Sequence, residues 1–412
     1  MLVAPPAPLT SAERSLAPDI ARGAMLLFIA LANVTYYQWG RPLDDYGNIA
    51  DASTADRVAH FVEQLLIAER SRPMFAILYG FGIAVMASRM TARGLEPLGV
   101  RRVLRRRSWV LVVLGIVHAG LLFGGDILGA YGVTGLIALG LVLLPEKPMR
   151  RWFWGSLVYV ALGATTLLAL LVSYGGGEQM PTDGAHPVGP SYAMNVLYGL
   201  SLEVAVLLLS SLFLAFLPLV IAGFELQRRG WLNHPQDHLP GLRRVFATGM
   251  VVNVLSSLPA ALVALGVLEP GRVGAFAAAY LTLLGGMYAG LGYICGFALL
   301  AHRWAGRGRR GAPGALAALG ERSLTGYLGQ SILMAPLLAP WGFALGDGLG
   351  SLGAYGVAAG AWAATVLAAV LMARRGARGP FEVLVRRLTY GRAAGTATGR
   401  EGGTVGRPGT TM

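Results

Sequence analysis

The stretch GIVHAGLLFGGDILGAYG (residues 115–132) is apolar and glycine-rich except for one histidine, His118, and one aspartate, Asp126. On either side of Gly124-Gly125 the same character continues outward, giving apolar runs over 108–123 and 127–144. Apolar runs of about 18 residues can cross a hydrocarbon core as helices. They recur along the chain, and ten spans are read: 20–38, 73–90, 108–123, 127–144, 153–173, 203–224, 245–266, 274–300, 324–343 and 352–372. The composition agrees. Of 412 residues, 55% are hydrophobic and 13% charged, with a mean hydropathy of +0.57. A soluble domain is nearer a quarter charged. The expected fold is all-α, a polytopic membrane bundle of about ten transmembrane helices.

The loop charges orient it. Arg101, Arg102, Arg105, Arg106 and Arg107 precede the third span, and Lys147, Arg150 and Arg151 follow the fourth. Arg228, Arg229, Arg243 and Arg244 separate spans six and seven, and Arg303, Arg307, Arg309 and Arg310 follow the eighth. Every second loop is basic, which under the positive-inside rule puts both termini in the cytoplasm. The net charge of +13 therefore reads as membrane topology and not as a nucleic-acid surface. The partners expected are the lipid bilayer and a small molecule, with no nucleic acid. Ala30-Leu31-Ala32 resembles a signal-peptide cleavage site, but cleavage there would invert the nine remaining spans.

Two segments read as surface helices. Val58, Phe61, Val62, Leu65 and Leu66 form one apolar face before span two, and Phe381, Leu384, Val385 and Leu388 form another beside Arg386 and Arg387. The chain divides into a five-span half (1–174) carrying the His/Asp element, an outer loop (175–191), a second five-span half (192–392), and a tail (393–412) expected to be disordered. Gly120/Gly124, Gly286/Gly290 and Gly292/Gly296 lie one helical turn apart, as close helix packing requires.

LAPDIARGAMLLFIALAN (16–33), RSRPMFAILYGFG (70–82), the opening stretch, GERSLTGYLGQS (320–331) and GPFEVLVRRLTYGR (379–392) occur in the order seen in YeiB-like bacterial membrane proteins. These carry the domain of unknown function 418 in their C-terminal half, and the resemblance runs from about Leu16 to Arg392. It implies a multi-pass protein of the bacterial plasma (inner) membrane. The family is distantly similar to ten-span membrane acyltransferases, which move acyl groups from a cytoplasmic donor to an outside acceptor. That similarity implies an acyl-CoA-type donor and no resident cofactor. Asp19, Arg22 and Gly23 match the start of the acyltransferases' first helix, but Asn33 stands where they place a histidine. An amide cannot accept the proton of an acceptor hydroxyl, so their usual base is missing from its usual place.

His118, ten residues beyond Ser108, is expected near the bilayer midplane, and Asp126 near the outer mouth. Ionisable groups so placed face a bundle interior or a water-filled cavity. One reading is a pocket opening outward, with His118 as proton acceptor and Asp126 binding a hydroxyl or cation. The other is a neutral His118 bonded to a carbonyl or to Tyr131, with Asp126 capping span four. Arg22, paired with Asp19, can hold a phosphate or carboxylate at the inner entrance. Arg70 and Arg72 lie outside against the charge bias, so pairing with Glu63 or Glu69 or an anionic ligand is expected for them. Glu203 opens span six and either snorkels to the outer interface or joins the site. Tyr327 and Gln330 share a face of span nine, and Asn33 joins them as a midplane polar group.

Phosphate loops, dinucleotide fingerprints and HExxH are absent, and no cluster of His or Cys with metal spacing occurs. His234 and His238 are separated by a proline and read as a loop pair, while His60, His186 and His302 read as interface or loop residues. Two functions stay open: an acyltransferase-like protein using His118 and Asp126, or a permease for a small polar molecule that uses the same residues for binding and proton coupling. A sensor or scaffold ranks last, because no outer loop is large enough to present a folded domain.

Overall fold

A computed structural model describes residues 15–174 and 191–391. The expected outer loop and tail fall outside these residues. Every regular element described is helical, with only the isolated bridges Trp39–Asp347 and Leu43–Ile49 besides. The first half contains α1 (Ala17–Val34), α2 (Thr54–Leu66), α3 (Ser71–Ala92), α4 (Pro97–Leu121), α5 (Leu128–Ala138) and α6 (Glu146–Tyr174). The second contains α7 (Tyr192–Leu212), α8 (Leu217–Arg228), α9 (Leu239–Leu265), α10 (Gly271–Arg303), α11 (Gly311–Gly320), α12 (Ser323–Leu338), α13 (Ser351–Arg374) and α14 (Pro380–Tyr390).

Seven stretches among the described residues are long and apolar enough to cross a membrane. The other three expected spans depart from that standard for different reasons. Helix α4 begins at Pro97, so five arginines are wound into its first three turns and lie within the helix instead of in a loop before it. Helix α5 covers 11 residues of the expected 127–144, after which the chain turns. Helix α12 covers 16 residues, with Pro336 removing a helical N–H just before its end. Span six is a larger correction. Its expected range, 203–224, straddles a break at 213–216 where Leu214 has φ 51°, so α7 starts at Tyr192 and α8 is a separate helix.

Helix α1 is the axis of the bundle. It packs on α3, α10, α11, α12 and α13 and buries Ile20, Met25, Leu26 and Ile29. Around it α9 pairs with α10, α3 with α8, and α4 with α5 and α7. The glycine pattern works as expected in the α9–α10 pair, where a Cβ on Gly249 would lie 2.7 Å from the Gly292 Cα. Leu162 on α6, Leu197 and Leu208 on α7, Leu255 on α9 and Leu367 on α13 are all exposed. An apolar exterior on that scale is intelligible when the surrounding solvent is lipid.

Helix α2 forms where expected, and its faces are reversed relative to a globular helix. Val58, Val62 and Leu66 are exposed, whereas Asp56 and Glu63 are buried. Asp56 accepts the Leu352 N–H at the start of α13 (2.9 Å), and the His60 Nδ1 lies 3.0 Å from the Tyr355 hydroxyl. The other predicted surface helix, α14, exposes Leu384 and Leu388 and buries Val385, Thr389 and Tyr390.

Candidate functional site

The α4–α5 hairpin brings the two ionisable groups of the opening stretch together. His118 lies in the last turn of α4, Asp126 lies just before α5, and the His118 Nδ1 is 2.7 Å from the Asp126 Oδ1. Two further donors converge on the same carboxylate: the Tyr327 hydroxyl of α12 at 3.0 Å on Oδ1, and the Gly129 N–H of α5 at 3.1 Å on Oδ2. Both members of the pair are buried, His118 at 3% exposure and Asp126 at 0%. A carboxylate facing three donors accepts from each, which puts an imidazole proton on Nδ1; in the neutral ring Nε2 then carries the lone pair. Nε2 is buried and has no hydrogen-bond partner among the described residues. The hairpin closes this tightly because Gly115 faces Gly129. A Cβ on Gly115 would lie 2.3 Å from the Gly129 nitrogen and 2.6 Å from the Asp126 Oδ2.

Glu203, in the middle of α7, approaches Gly129 from the other side, where its Oε1 is 2.1 Å from the place a Cβ would take. It is fully buried, and neither carboxyl oxygen has a hydrogen-bond partner among the described residues. Instead of opening a span and snorkelling to an interface, it lies inside the bundle.

Several expected positions need correcting. His118 is three residues from the end of α4, not near the middle of a span, because the helix begins eleven residues before Ser108. Asn33 is in the last turn of α1 and half-buried. Tyr131 is not the partner of His118: its hydroxyl donates to the Arg72 carbonyl (2.8 Å), and its ring stacks on Phe75. Asp126 both pairs with His118 and caps α5 through Gly129, so the two readings of that residue meet in one carboxylate. Gln330 donates to the Leu26 carbonyl of α1 at 3.1 Å. Arg70 is completely buried, where it bonds Asn253 (2.5 Å), the Ser257 hydroxyl and the Ala68 carbonyl. Arg72 pairs with Glu69 as expected.

The largest cavity described is not lined by His118 or Asp126. A cavity of about 680 Å³ gathers Asp19 and Arg22 from α1, Arg89 from α3, Arg107 from α4, His234, Glu321, and Arg386 from α14. It thus opens at the arginine-rich end of the bundle, and it reaches inward to Met25, Phe75, Leu128 and Tyr131. Leu128 is two residues and Tyr131 five residues beyond Asp126 in the chain, so the His118–Asp126 pair lies near the cavity's inner end without lining it. Arg22 is on the wall as expected, paired with Asp19 (3.5 Å) and donating to the Leu78 carbonyl (3.2 Å). A second cavity, about 370 Å³ and lined by Trp39, Asp44, Asp56 and His60, shares no lining residue with the first.

Sequence reasoning missed the work of Glu382. Its Oε1 accepts the Leu324 and Thr325 N–H groups at 2.8 and 3.0 Å, and its Oε2 accepts the Thr325 hydroxyl at 2.6 Å. Helix α12 has no side-chain cap of its own, so the glutamate of GPFE in α14 terminates the helix that carries Tyr327. The signal was the GP-x-E signature itself. Glu382→Ala should lower stability by about 1 kcal/mol, the usual cost of losing a cap. Thermal unfolding in detergent, compared with an exposed control such as Arg387→Ala, checks this; identical midpoints would contradict the capping role.

The comparisons with known proteins bear out the family resemblance. Residues 226–392 match the family described as "Protein of unknown function (DUF418)". The chain is 28% identical to "Uncharacterized protein YeiB" of Escherichia coli (strain K12), over 93% of this chain and 98% of that one. It is 24% identical to "Uncharacterized protein YxaH" of Bacillus subtilis (strain 168), over 93% of this chain and 96% of that one. Both matches extend well beyond residues 226–392, and neither brings a reaction with it.

Proposed function

We propose that this is a multi-pass protein of the bacterial inner membrane that transfers an acyl group, with its arginine-rich end and both termini in the cytoplasm and ten helical segments in the bilayer. The observation that carries the reading is the placement of a histidine–carboxylate pair, with Nε2 unpartnered, near the inner end of a cavity walled by arginines. An acyl-CoA-type donor enters from the arginine side, where Arg22 is among the groups that meet its anionic part. His118 Nε2 takes the proton of the acceptor hydroxyl as its oxygen attacks the thioester carbonyl carbon. The carbon–sulfur bond breaks, and the thiol leaves with a proton returned by the imidazolium. Asp126 holds the ring in the required tautomer and stabilises the imidazolium, with Tyr327 and Gly129 fixing the carboxylate. Glu203 is the group left to bind the acceptor, while Tyr131, Gln330, Asn33 and Arg70 support the surrounding helices. On this reading the base that the acyltransferases carry at the place of Asn33 comes instead from α4.

Full-length protein in liposomes, given radiolabelled acetyl-CoA and a lipid extract as a source of acceptors, tests this. Label should pass to protein or acceptor in the wild type and be lost in His118→Ala. Label that never appears, or that persists in the variant, overturns the assignment.

A second reading, a permease for a small anion, is favoured by one feature. The two cavities share no residue, and the His118–Asp126 pair lies between the inner end of one and the opposite end of the bundle. A solute site closed on one side is what alternating access requires, and the α7–α8 break supplies a discontinuous helix. Solute flux in proteoliposomes that follows an imposed pH gradient would favour it over transfer.

A further inference from the structure

The cavity at the arginine-rich end holds more positive charge than its own carboxylates use. Glu321 is 2.7 Å from Arg309 and 3.4 Å from Arg322, neither of which lines the cavity. Glu382 is occupied by the start of α12, and Asp19 faces Arg22. Besides Arg22 and Arg89, the wall carries Arg107 on α4 and Arg386 on α14, two helices that pack together. The Nε of each is buried and without an acceptor among the described residues.

The same wall carries Thr389, 2% exposed, whose hydroxyl is also buried and unpartnered. All three line one cavity, across the contact of α14 with α4, and both arginines also act on the neighbouring Tyr390, opposing the rise that burial gives its phenol. Burial and the neighbouring Arg378 likewise press the Arg386 guanidinium below its ordinary value. Two arginine Nε–H groups and a hydroxyl without acceptors among the described residues belong to the donor set that a phosphoryl group satisfies, and Nε is one arm of the bidentate fork. A pocket of about 680 Å³ is of the size that encloses a small-molecule ligand.

We infer that Arg107, Arg386 and Thr389 form a phosphoryl-binding clamp at the mouth of this cavity, taking the phosphate or pyrophosphate group of a ligand that enters from the arginine-rich side. The inference deepens the acyl-donor reading, and it rests on that reading only in taking the cavity as the donor's. It gives α14 a second task besides capping α12: Arg387 and Leu388 are exposed while Arg386 and Thr389 line the cavity.

The test uses the full chain in phosphatidylcholine nanodiscs, following the unfolding midpoint during titration with pyrophosphate, and in parallel with phosphatidic acid incorporated into the discs. Pyrophosphate should raise the midpoint saturably. Its apparent affinity should fall about tenfold or more in Arg107→Gln and in Arg386→Gln. Arg107→Lys and Arg386→Lys keep the charge and the fold but not the fork, so they should weaken binding less than the glutamines. Arg374→Gln, exposed at the same end, should bind as wild type.

Stabilisation by phosphatidic acid alone, with the same arginine dependence, keeps the clamp and identifies its source as a lipid headgroup. No saturable effect of either probe, or equal affinity in the glutamine variants, overturns the clamp. The two proposals separate cleanly. Pyrophosphate binding that survives in a protein without acetyl transfer removes only the transfer reading. Transfer that persists in a protein indifferent to pyrophosphate removes only the clamp.

Discussion

Asp126→Ala should lower folded stability by about 4 kcal/mol, roughly a thousandfold in the folding equilibrium. The side chain is fully buried and is the acceptor for three donors: the His118 Nδ1–H, the Tyr327 hydroxyl and the Gly129 N–H. Truncation strands all three where no water reaches them, and each unmet buried donor costs about 1–3 kcal/mol. Hydrogen bonds between membrane helices average only about 0.6 kcal/mol in double-mutant cycles, so a single such bond would not justify the figure. Here three donors share one carboxylate and the capping bond to α5 goes with them, and that decides the larger value. Asp126→Asn retains one acceptor oxygen but turns an amide group toward donors, and it should fall between wild type and the alanine variant. Unfolding followed in mild detergent checks the order. An alanine variant as stable as wild type would mean that the cluster does not hold the α4–α5 hairpin to α12.

The sequence brought this pairing within reach because its members flank one short apolar turn. Eight residues separate His118 from Asp126, Gly124-Gly125 marks a reversal between them, and a hairpin of two apolar helices leaves them facing each other. Tyr327 was out of reach. It is 201 residues from Asp126, and nothing local marks which of the polar residues on α12 turns toward α4. The place of His118 along its helix was hidden for a related reason. Hydropathy reports where apolar residues begin, but α4 winds through its arginines from Pro97, so the apolar stretch is the far part of a longer helix. Likewise, the run through 213–216 stays apolar while its backbone breaks at Leu214, which hid both the start of α7 and the burial of Glu203.

Helix α2 shows a more general ambiguity. An apolar stripe opposite a polar one predicts an amphipathic helix equally well in water and in lipid, but the stripe that packs inward is reversed between the two. With lipid outside, Val58, Val62 and Leu66 face the membrane and Asp56 and Glu63 face the protein, where hydrogen bonds to other helices hold the polar side. The same reversal governs the site. Polar residues of the spans gather at the bundle axis because lipid offers them nothing, so burial of an ionisable group does not by itself distinguish a structural residue from a functional one. Arg70 and Glu203 are both fully buried and ionisable. Arg70 has its acceptors in Asn253 and Ala68, and Glu203 has no partner among the described residues.

That contrast makes Glu203 the residue whose replacement should improve the fold. Glu203→Met should stabilise the protein by about 2 kcal/mol, because a buried carboxyl without hydrogen bonds is worth less than an apolar side chain of the same length. The space admits the change: the carboxyl already lies against Gly129 and Leu207, and methionine is flexible enough to occupy that volume without strain. Residues that destabilise a fold and yet persist in it are the mark of a stability–activity compromise. Acetyl transfer, or solute flux on the permease reading, should therefore fall in the same variant whose unfolding midpoint rises. A rise in both would make Glu203 a bystander. A drop in the midpoint would show that its carboxyl has a partner that the bundle needs, and the acceptor site assigned to it would have to be placed elsewhere.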